Sequence, residues 1–477
     1  MHSIGLSTVV ENVEAAIRNG NLDAAEQLLT PAMDQRPQTA VLWFYYGSLC
    51  VARGQNALGL QCLLKSLDLD PHPAIWGNAA ACLRNMQQIE ACRKLLHIGL
   101  EHDPGNVNIL ANLCGSYVNE GDPLPGMAAG EQVKDHPEVG PAVKFNLALL
   151  NLEAGNLAEG FEFYATGRHS ARERRAYEPD PPELTREMHQ YFTGQSRTAL
   201  KPKLLVYGEQ GLGDECMFAT MLDAVALDYT VVFDSHPRLQ WLHEHSTWRQ
   251  GIDLTGTRKV RDRVLSSKGC DAKVAIGNLA RFYRDNISKF PEGPFYTAPQ
   301  AQTAQYRAKL QQLAAGRKII GLATRGGLMQ TARLYRMMPM DVLEQLFSDP
   351  SVMFVSLDYE DMTPLAQWAQ KFGPNKFIWH PSIVWHWQYE HTAALVAATD
   401  AVVTVPQTAA HLSAAMGHPT YVMTPSRPDW RLGLTGETWY WYPNTNTRLL
   451  RQQGQSWQPA LSRLFELLQA RSLSEAA

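Results

Sequence analysis

Three short runs place reactive or phosphate-seating side chains directly after stretches that read as buried strands. The first is Gly208-Glu209-Gln210-Gly211-Leu212-Gly213-Asp214-Glu215, which follows the apolar run KLLVY. Gly211 and Gly213 allow a backbone to approach a ligand closely. Asp214 falls in the first turn of the next helix, where a carboxylate can take a proton from an attacking hydroxyl. The same place suits an ordinary first-turn acid that stabilises the helix, and both readings stand. Glu209 is a second acid in the same turn. The second run is Thr324-Arg325-Gly326-Gly327, after KIIGLA. A planar guanidinium beside glycine N–H groups is a seat for phosphate. Arg333 and Arg336 follow, and read equally well as solvated loop arginines. The third run is Pro406-Gln407-Thr408-Ala409-Ala410-His411, after AVVTV. Pro406 stops sheet pairing, Thr408 can cap a helix over Ala409–Met416, and Gly417 with Pro419 ends it. A helix N-terminus there attracts phosphate, with His411 in its first turn. The plain alternative is a βαβ unit whose histidine only packs.

Two series of elements are needed to position these runs. KLLVY (203–207), TVVFD (230–234) and KVAIG (273–277) alternate with helical stretches. So do KIIGLA (318–323), VMFVSL (352–357), KFIWH (376–380), AVVTV (401–405) and TYVMT (420–424). Two sets of alternating strands and helices predict two doubly wound Rossmann-like domains, 201–298 and 299–477. A ligand would sit between their carboxyl edges. The amphipathic stretch Gln458–Arg471 is expected to pack back across the pair. Residues 169–200 are charged and broken by proline, and read as a linker with at most one short helix. After the last strand, Trp430, Trp439, Tyr440, Trp441 and Tyr442 can stack on a sugar or base, or simply cover the sheet end.

The first 168 residues repeat. Arg36-Pro37, Asp70-Pro71, Asp103-Pro104 and His136-Pro137 recur at spacings of about 34, and turn positions Gly20, Gly54, Gln87, Gly121 and Gly155 recur with them. Two helices per unit over about four and a half units predict a tetratricopeptide-like α-solenoid. Small residues stand where paired helices cross: Gly47, Ala80, Gly59, Cys92, Gly126 and Gly160. Nine residues before each turn stand Tyr45, Asn78, Asn112 and Asn146. A row of asparagines can pair with the backbone of an extended peptide; asparagine is equally tolerated on a solvated helix face.

The chain has 477 residues, 45% hydrophobic and 19% charged, with a net charge of −4 and no basic run. Nucleic-acid binding is not expected. No apolar stretch is long enough to span a membrane, and the N-terminus lacks the apolar core of a signal peptide. Seven scattered cysteines without a C-x-x-C pair read as reduced thiols in a cytoplasmic protein. The 15 histidines show no ligand spacing, so no metal is expected.

Together the motifs GEQGLGDE (208–215), the Arg-Gly-Gly turn (325–327), the Q-T-x-x-H-L-x-x-A-x-G-x-P run (407–419) and the PDWR…WYP…RLLRQ tail resemble a bacterial family. Its members fuse tetratricopeptide repeats to a GT-B glycosyltransferase module related to the ADP-heptose heptosyltransferases. The resemblance covers almost the whole chain. It implies a metal-independent, inverting transfer from a nucleotide-sugar to a hydroxyl, on a protein such as flagellin or another surface protein. Asp214 would be the base. Arg325, Gly326, Gly327, Gln407, Thr408 and His411 would hold the donor, and Glu209, Gly211 and Gly213 would form the phosphate and acceptor loop. The asparagine row Asn78, Asn112 and Asn146 resembles the peptide-binding ladder of protein O-GlcNAc transferases. The repeats would carry the protein acceptor, and can also self-associate. This sequence departs from the heptosyltransferase pattern at Pro406-Gln407-Thr408-Ala409 and at Thr324, where the group often has tryptophan, which speaks against a heptose donor. A non-catalytic scaffold with a degenerate transferase module, and a transferase acting on lipid-linked or capsular saccharide, are the alternative expectations.

Overall fold

The computed structural model describes residues 5–167, 177–195, 201–248, 251–258, 265–290, 293–326, 337–358, 363–373, 376–378, 389–443 and 446–474. They divide into two compact units, Met1–Asn151 with Thr166–Arg168, and Leu152–Ala165 with His169–Ala477.

The N-terminal region is a helical repeat of tetratricopeptide type. Its helices are α1 (Leu6–Arg18), α2 (Leu22–Gln35), α3 (Ala40–Ala52), α4 (Asn56–Leu69), α5 (Pro73–Asn85), α6 (Ile89–His102), α7 (Val107–Ser116), α8 (Leu124–Glu131), α9 (Gly140–Ala154) and α10 (Leu157–Gly167). All five turn positions read from the sequence are left-handed, with φ of 73° at Gly20, 77° at Gly54, 61° at Gln87, 80° at Gly121 and 86° at Gly155. The small residues act as crossing points. A Cβ on Gly47 would lie 2.7 Å from Leu63 Cγ, and one on Gly59 would lie 3.2 Å from the Gly47 carbonyl. The α3–α4 pair therefore packs backbone to backbone. Each helix buries a stripe, such as Val9, Val13, Ala25, Leu29 and Leu42 in the first units.

The second unit is a parallel-sheet α/β region. Its strands are β1 (Tyr177–Glu178), β2 (Lys203–Tyr207), β3 (Thr230–Asp234), β4 (Ile252–Leu254), β5 (Leu265–Ser266), β6 (Ala272–Ala275), β7 (Lys318–Ala323), β8 (Val352–Ser356), β9 (Phe377–Ile378), β10 (Ala401–Thr404), β11 (Thr420–Thr424) and β12 (Thr447–Arg451). One sheet runs β4-β3-β2-β6 and another runs β12-β11-β10-β7-β8-β9; β1 pairs with β5. All of these pairings are parallel, with registers such as Leu205↔Val232 and Val403↔Leu322. The strands are apolar because helices cover both faces: β8 and β10 are buried at every position. Each sheet reverses direction beside one strand. In the first the chain steps outward from β2 and returns to β6 on its other side. In the second it steps outward from β7 and returns to β10. Such switch points open a crevice at the carboxyl edge. The glycine turn 208–211 follows β2, Arg325-Gly326 follow β7, and Pro406-Gln407 follow β10.

Three features differ from the sequence reading. The segment read as a linker is partly built in. Tyr177 and Leu184 are buried, the Tyr177 hydroxyl donates to Asp234 Oδ2 at 3.0 Å, and the Leu184 N–H bonds the Lys273 carbonyl. Proline and charge broke the helical pattern without preventing docking on the sheet edge. Helix α10, assigned to the repeats by its spacing, groups largely with the α/β region. The tail stretch Thr447–Arg451 is a sixth strand beside β11, disguised by its two arginines. Gln458–Ser474 is helical, and Ala460, Leu461, Leu464 and Leu468 bury against the six-stranded sheet.

Candidate functional site

The first helix after β2, Leu212–Ala219, and the helix after β10, Thr408–Ala415, meet at their N-terminal turns. A Cβ on Gly213 would lie 3.1 Å from His411 Cδ2 and 3.2 Å from Thr408 Cα. Glycine is what permits this approach. On the other side of the same helix start, a Cβ on Gly326 would lie 2.5 Å from the Pro406 carbonyl oxygen and 2.9 Å from Gln407 Cβ. Gly211, Gly213, Asp214, Arg325, Gly326, Gln407, Thr408 and His411 are thus brought to one place. Gly327, Arg333 and Arg336 lie outside the described residues. The cap of the second helix is Gln407 rather than Thr408. The Gln407 side chain makes no capping bond, and its Nε2 is buried without a hydrogen-bond partner.

Asp214 has both oxygens engaged. Oδ2 accepts the N–H of Gly211, the residue that opens the helix, at 3.1 Å. Oδ1 accepts from Arg431 Nε at 2.7 Å and Nη2 at 2.5 Å. Arg431 Nη1 meanwhile donates to both oxygens of Asp429, at 2.7 and 2.8 Å. The guanidinium carbon lies 4.4 Å from the centre of the Trp430 ring. Burial works against the Arg431 charge, but Asp214 and Asp429 outweigh it and hold the guanidinium above its usual range. Arg451 steadies this loop by donating to the carbonyls of Leu432, Gly433, Thr435 and Gly436.

His411 is buried, with Nδ1 3.0 Å from the Tyr442 hydroxyl and its ring beside Trp439. Burial lowers its pKa from 6.5 to about 4, against the pull of Asp214 and with the help of Arg431. The fold therefore holds the neutral imidazole. Its contribution to stability is complete above pH 6.5 and is lost as pH falls toward 4. Between pH 7 and pH 5 this amounts to about 2 kcal/mol. We expect His411→Gln to flatten the urea stability profile over that interval by about this amount. Equal pH slopes in the two proteins would contradict the assignment.

Two sequence-chosen groups stand elsewhere. Glu209 is turned inward: its Oε1 accepts the Gly277 N–H at 3.2 Å and faces the Tyr164 hydroxyl at 3.5 Å. It ties β2 to the turn after β6 and to α10, and does not open on the phosphate and acceptor loop. The tail aromatics are core. Trp430, Trp439, Trp441 and Tyr442 are buried, and Phe161, Tyr164 and Phe218 pack edge-on or tilted against them.

Of the three asparagines, each half-buried, Asn78 Nδ2 donates to Ser48 Oγ at 3.3 Å and Asn112 Nδ2 to the Asn108 carbonyl at 3.0 Å. Asn146 Nδ2 lies against Gly115, 3.1 Å from where a Cβ would sit. They stand on α5, α7 and α9 one unit apart, with two of the three amide groups donating within the repeats.

Sequence reasoning passed over several side chains that hold the site. Glu215 is fully buried, bonded to Arg258 Nη1 at 2.7 Å and to the His236 N–H at 2.7 Å, with His243 Nε2 at 3.4 Å. Its burial favours protonation, yet these partners together keep it below the usual carboxylate range. Arg258 also donates to the Gln210 carbonyl and so fixes the glycine turn. Asp358 accepts from Thr324 N–H at 3.0 Å and Oγ1 at 2.6 Å, fixing the strand end that carries Arg325. A small hydroxyl does at Thr324 what a tryptophan could not. The acids in GDE and PDWR were the available signal, because an acid two residues before an arginine can hold it. Among the described residues, no group of three His, Cys, Asp or Glu side chains is placed to hold a metal ion. No helix there is long and apolar enough to cross a membrane.

No protein-family model matches the chain. It is 25% identical over 473 residues to Protein FlbA of Caulobacter vibrioides, spanning 96% of this chain and 72% of that protein. Solved structures resemble about a third of it. These include Pseudomonas aeruginosa PilF (15% identity, TM-score 0.32, 34% of this chain and 77% of that one). TTC0263, a tetratricopeptide-repeat protein of Thermus thermophilus, is 17% identical at a TM-score of 0.31, over 35% of this chain and 92% of that one. YrrB, a repeat protein described as having an unusual peptide-binding site, is 12% identical at a TM-score of 0.28, over 33% and 82%.

Proposed function

We propose that the chain is a GT-B glycosyltransferase that moves a sugar from a nucleotide-sugar to a hydroxyl, on a protein presented through the repeats. One observation carries the reading. The switch points of two parallel sheets are brought together at two abutting helix N-termini, with an acid, an arginine and an unpartnered buried amide donor between them. That arrangement suits a diphosphate leaving group on the β7–β10 side and an acceptor on the β2 side. The acceptor oxygen attacks the anomeric carbon as the bond to the diphosphate breaks. The diphosphate leaves with the bonding electrons, and Asp214 receives the hydroxyl proton. Attack opposite the leaving group inverts the anomeric centre. Arg325, the Gln407 amide and the Thr408 helix start offset the charge that grows on the diphosphate. His411, neutral and tethered to Tyr442, shapes that helix start and carries no charge to the phosphate.

One observation favours a second reading. Both oxygens of Asp214 are already bonded, as they would be in a non-catalytic scaffold where it serves only as a cap. Nucleotide binding separates the two. A nucleoside diphosphate that binds the native state alone raises the melting temperature. We expect at least one of UDP, GDP, ADP or CDP to do so, with a smaller shift in Arg325→Ala. No shift with any of them contradicts the transferase.

A further inference from the structure

We infer that Arg431 is a shared cation of this site: without ligand it clamps Asp214, and a bound diphosphate takes the same N–H groups and releases the carboxylate. This rests on the transferase reading and goes beyond it, by giving a role to the arginine of the PDWR run, to which the resemblance assigned none, and by coupling donor binding to the freeing of the base.

The guanidinium is held asymmetrically. Its Nη1 edge belongs to its own loop, where both Asp429 oxygens accept from it. Its Nε and Nη2 edge is lent across to the other sheet's helix, and both nitrogens meet the single oxygen Oδ1 of Asp214. Two parallel N–H groups on one face are the geometry that takes two oxygens of a phosphate. Losing Asp214 does not strand the charge, because Asp429 still compensates it. The Trp430 ring beneath the guanidinium sets its plane.

The carboxylate is held independently on its other oxygen. The Gly211 N–H keeps hold of Oδ2, so Asp214 stays at the helix start after Arg431 turns away. Oδ1 then has an open lone pair for a hydroxyl proton. While Arg431 is in place, both nitrogens occupy that oxygen. The loop of Arg431 is also joined to the donor helix: Trp439 donates from Nε1 to the Arg431 carbonyl at 2.7 Å and its ring lies against His411. The Gln407 amide nitrogen, buried and unpaired at the same helix start, is a further donor for the phosphate oxygens.

Exchange has a signature that a merely structural ion pair lacks: the two partners have opposite effects on ligand affinity. The test is calorimetric titration of matched nucleoside diphosphates and monophosphates into wild type, Arg431→Met, Arg431→Lys and Asp214→Asn. We expect wild type to prefer the diphosphate and Arg431→Met to lose about tenfold of that preference. The preference is a ratio, so a partly unfolded sample does not imitate the loss. Arg431→Lys keeps charge without the fork and should fall between. Asp214→Asn removes the competitor and should tighten the diphosphate several-fold. An unchanged preference in Arg431→Met, or an Asp214→Asn protein whose diphosphate affinity is unchanged or weaker, overturns the exchange and leaves the transferase standing. No nucleotide bound by wild type overturns both.

Discussion

Asp214→Asn is expected to lower glycosyl transfer by about 100-fold or more, the scale of losing general-base assistance. Asparagine keeps the size of the side chain, and its amide oxygen can still accept from Gly211 or Arg431. Asp429 still compensates Arg431. The helix start therefore persists, and what disappears is the ability to take a proton. The signature is a fall in kcat while the donor still binds, and binds more tightly where its diphosphate no longer competes with a carboxylate for Arg431. Glu209 cannot replace it, because its carboxylate faces Gly277 and Tyr164 inside the fold. Near-normal turnover in Asp214→Asn would reduce the residue to a helix cap and remove the mechanism.

The second large effect is on folding. A fragment that begins at residue 201, where the sequence places the start of the first α/β domain, is expected not to fold cooperatively. A fragment that begins at residue 140 is expected to do so. The difference lies in side chains that the shorter fragment lacks. Phe161 and Tyr164 on α10 are fully buried, and Tyr177 and Leu184 are nearly so. Burying such side chains contributes about 1.5–3 kcal/mol each. Their joint loss, on the order of 10 kcal/mol, matches the whole stability of a typical domain. Removing them also uncovers Trp430 and Trp441 and takes away the Tyr177 hydroxyl that donates to buried Asp234. The measurement is a urea titration followed by tryptophan fluorescence. A sharp transition in the 201–477 fragment would show that α10 and the segment after it are dispensable.

Much of this architecture was legible in the sequence, for physical reasons. A 34-residue period with a left-handed turn in each unit leaves a mark, and Gly20, Gly54, Gly121 and Gly155 carry it; even Gln87 betrayed itself by its place. The buried parallel strands were plain because apolar β-branched runs have few other uses. What escaped were interactions between distant parts of the chain. Helix α10 has the spacing of a repeat helix, and nothing local says that its aromatic face meets Trp430 and Trp441. Asp214 and Glu215 are adjacent acids, but the turn of the helix sends one to Arg431 and the other into the core with Arg258. Arg431 lies 217 residues from Asp214, so no spacing rule could pair them. The asparagine row was legible as a row, whereas its bonds to Ser48 on a neighbouring unit and to Asn108 one turn back were not.

The most direct test of the account is transfer itself. The chain is co-expressed with a surface protein such as flagellin in cells that make nucleotide-sugars, and the intact mass of that protein is compared with a control lacking the chain. The account predicts a gain of one or more whole glycosyl units on the acceptor, with wild type and not with Asp214→Asn. An acceptor of unchanged mass, from cells in which the purified chain still binds a nucleoside diphosphate, would contradict protein glycosylation. An equal gain with Asp214→Asn would contradict the mechanism.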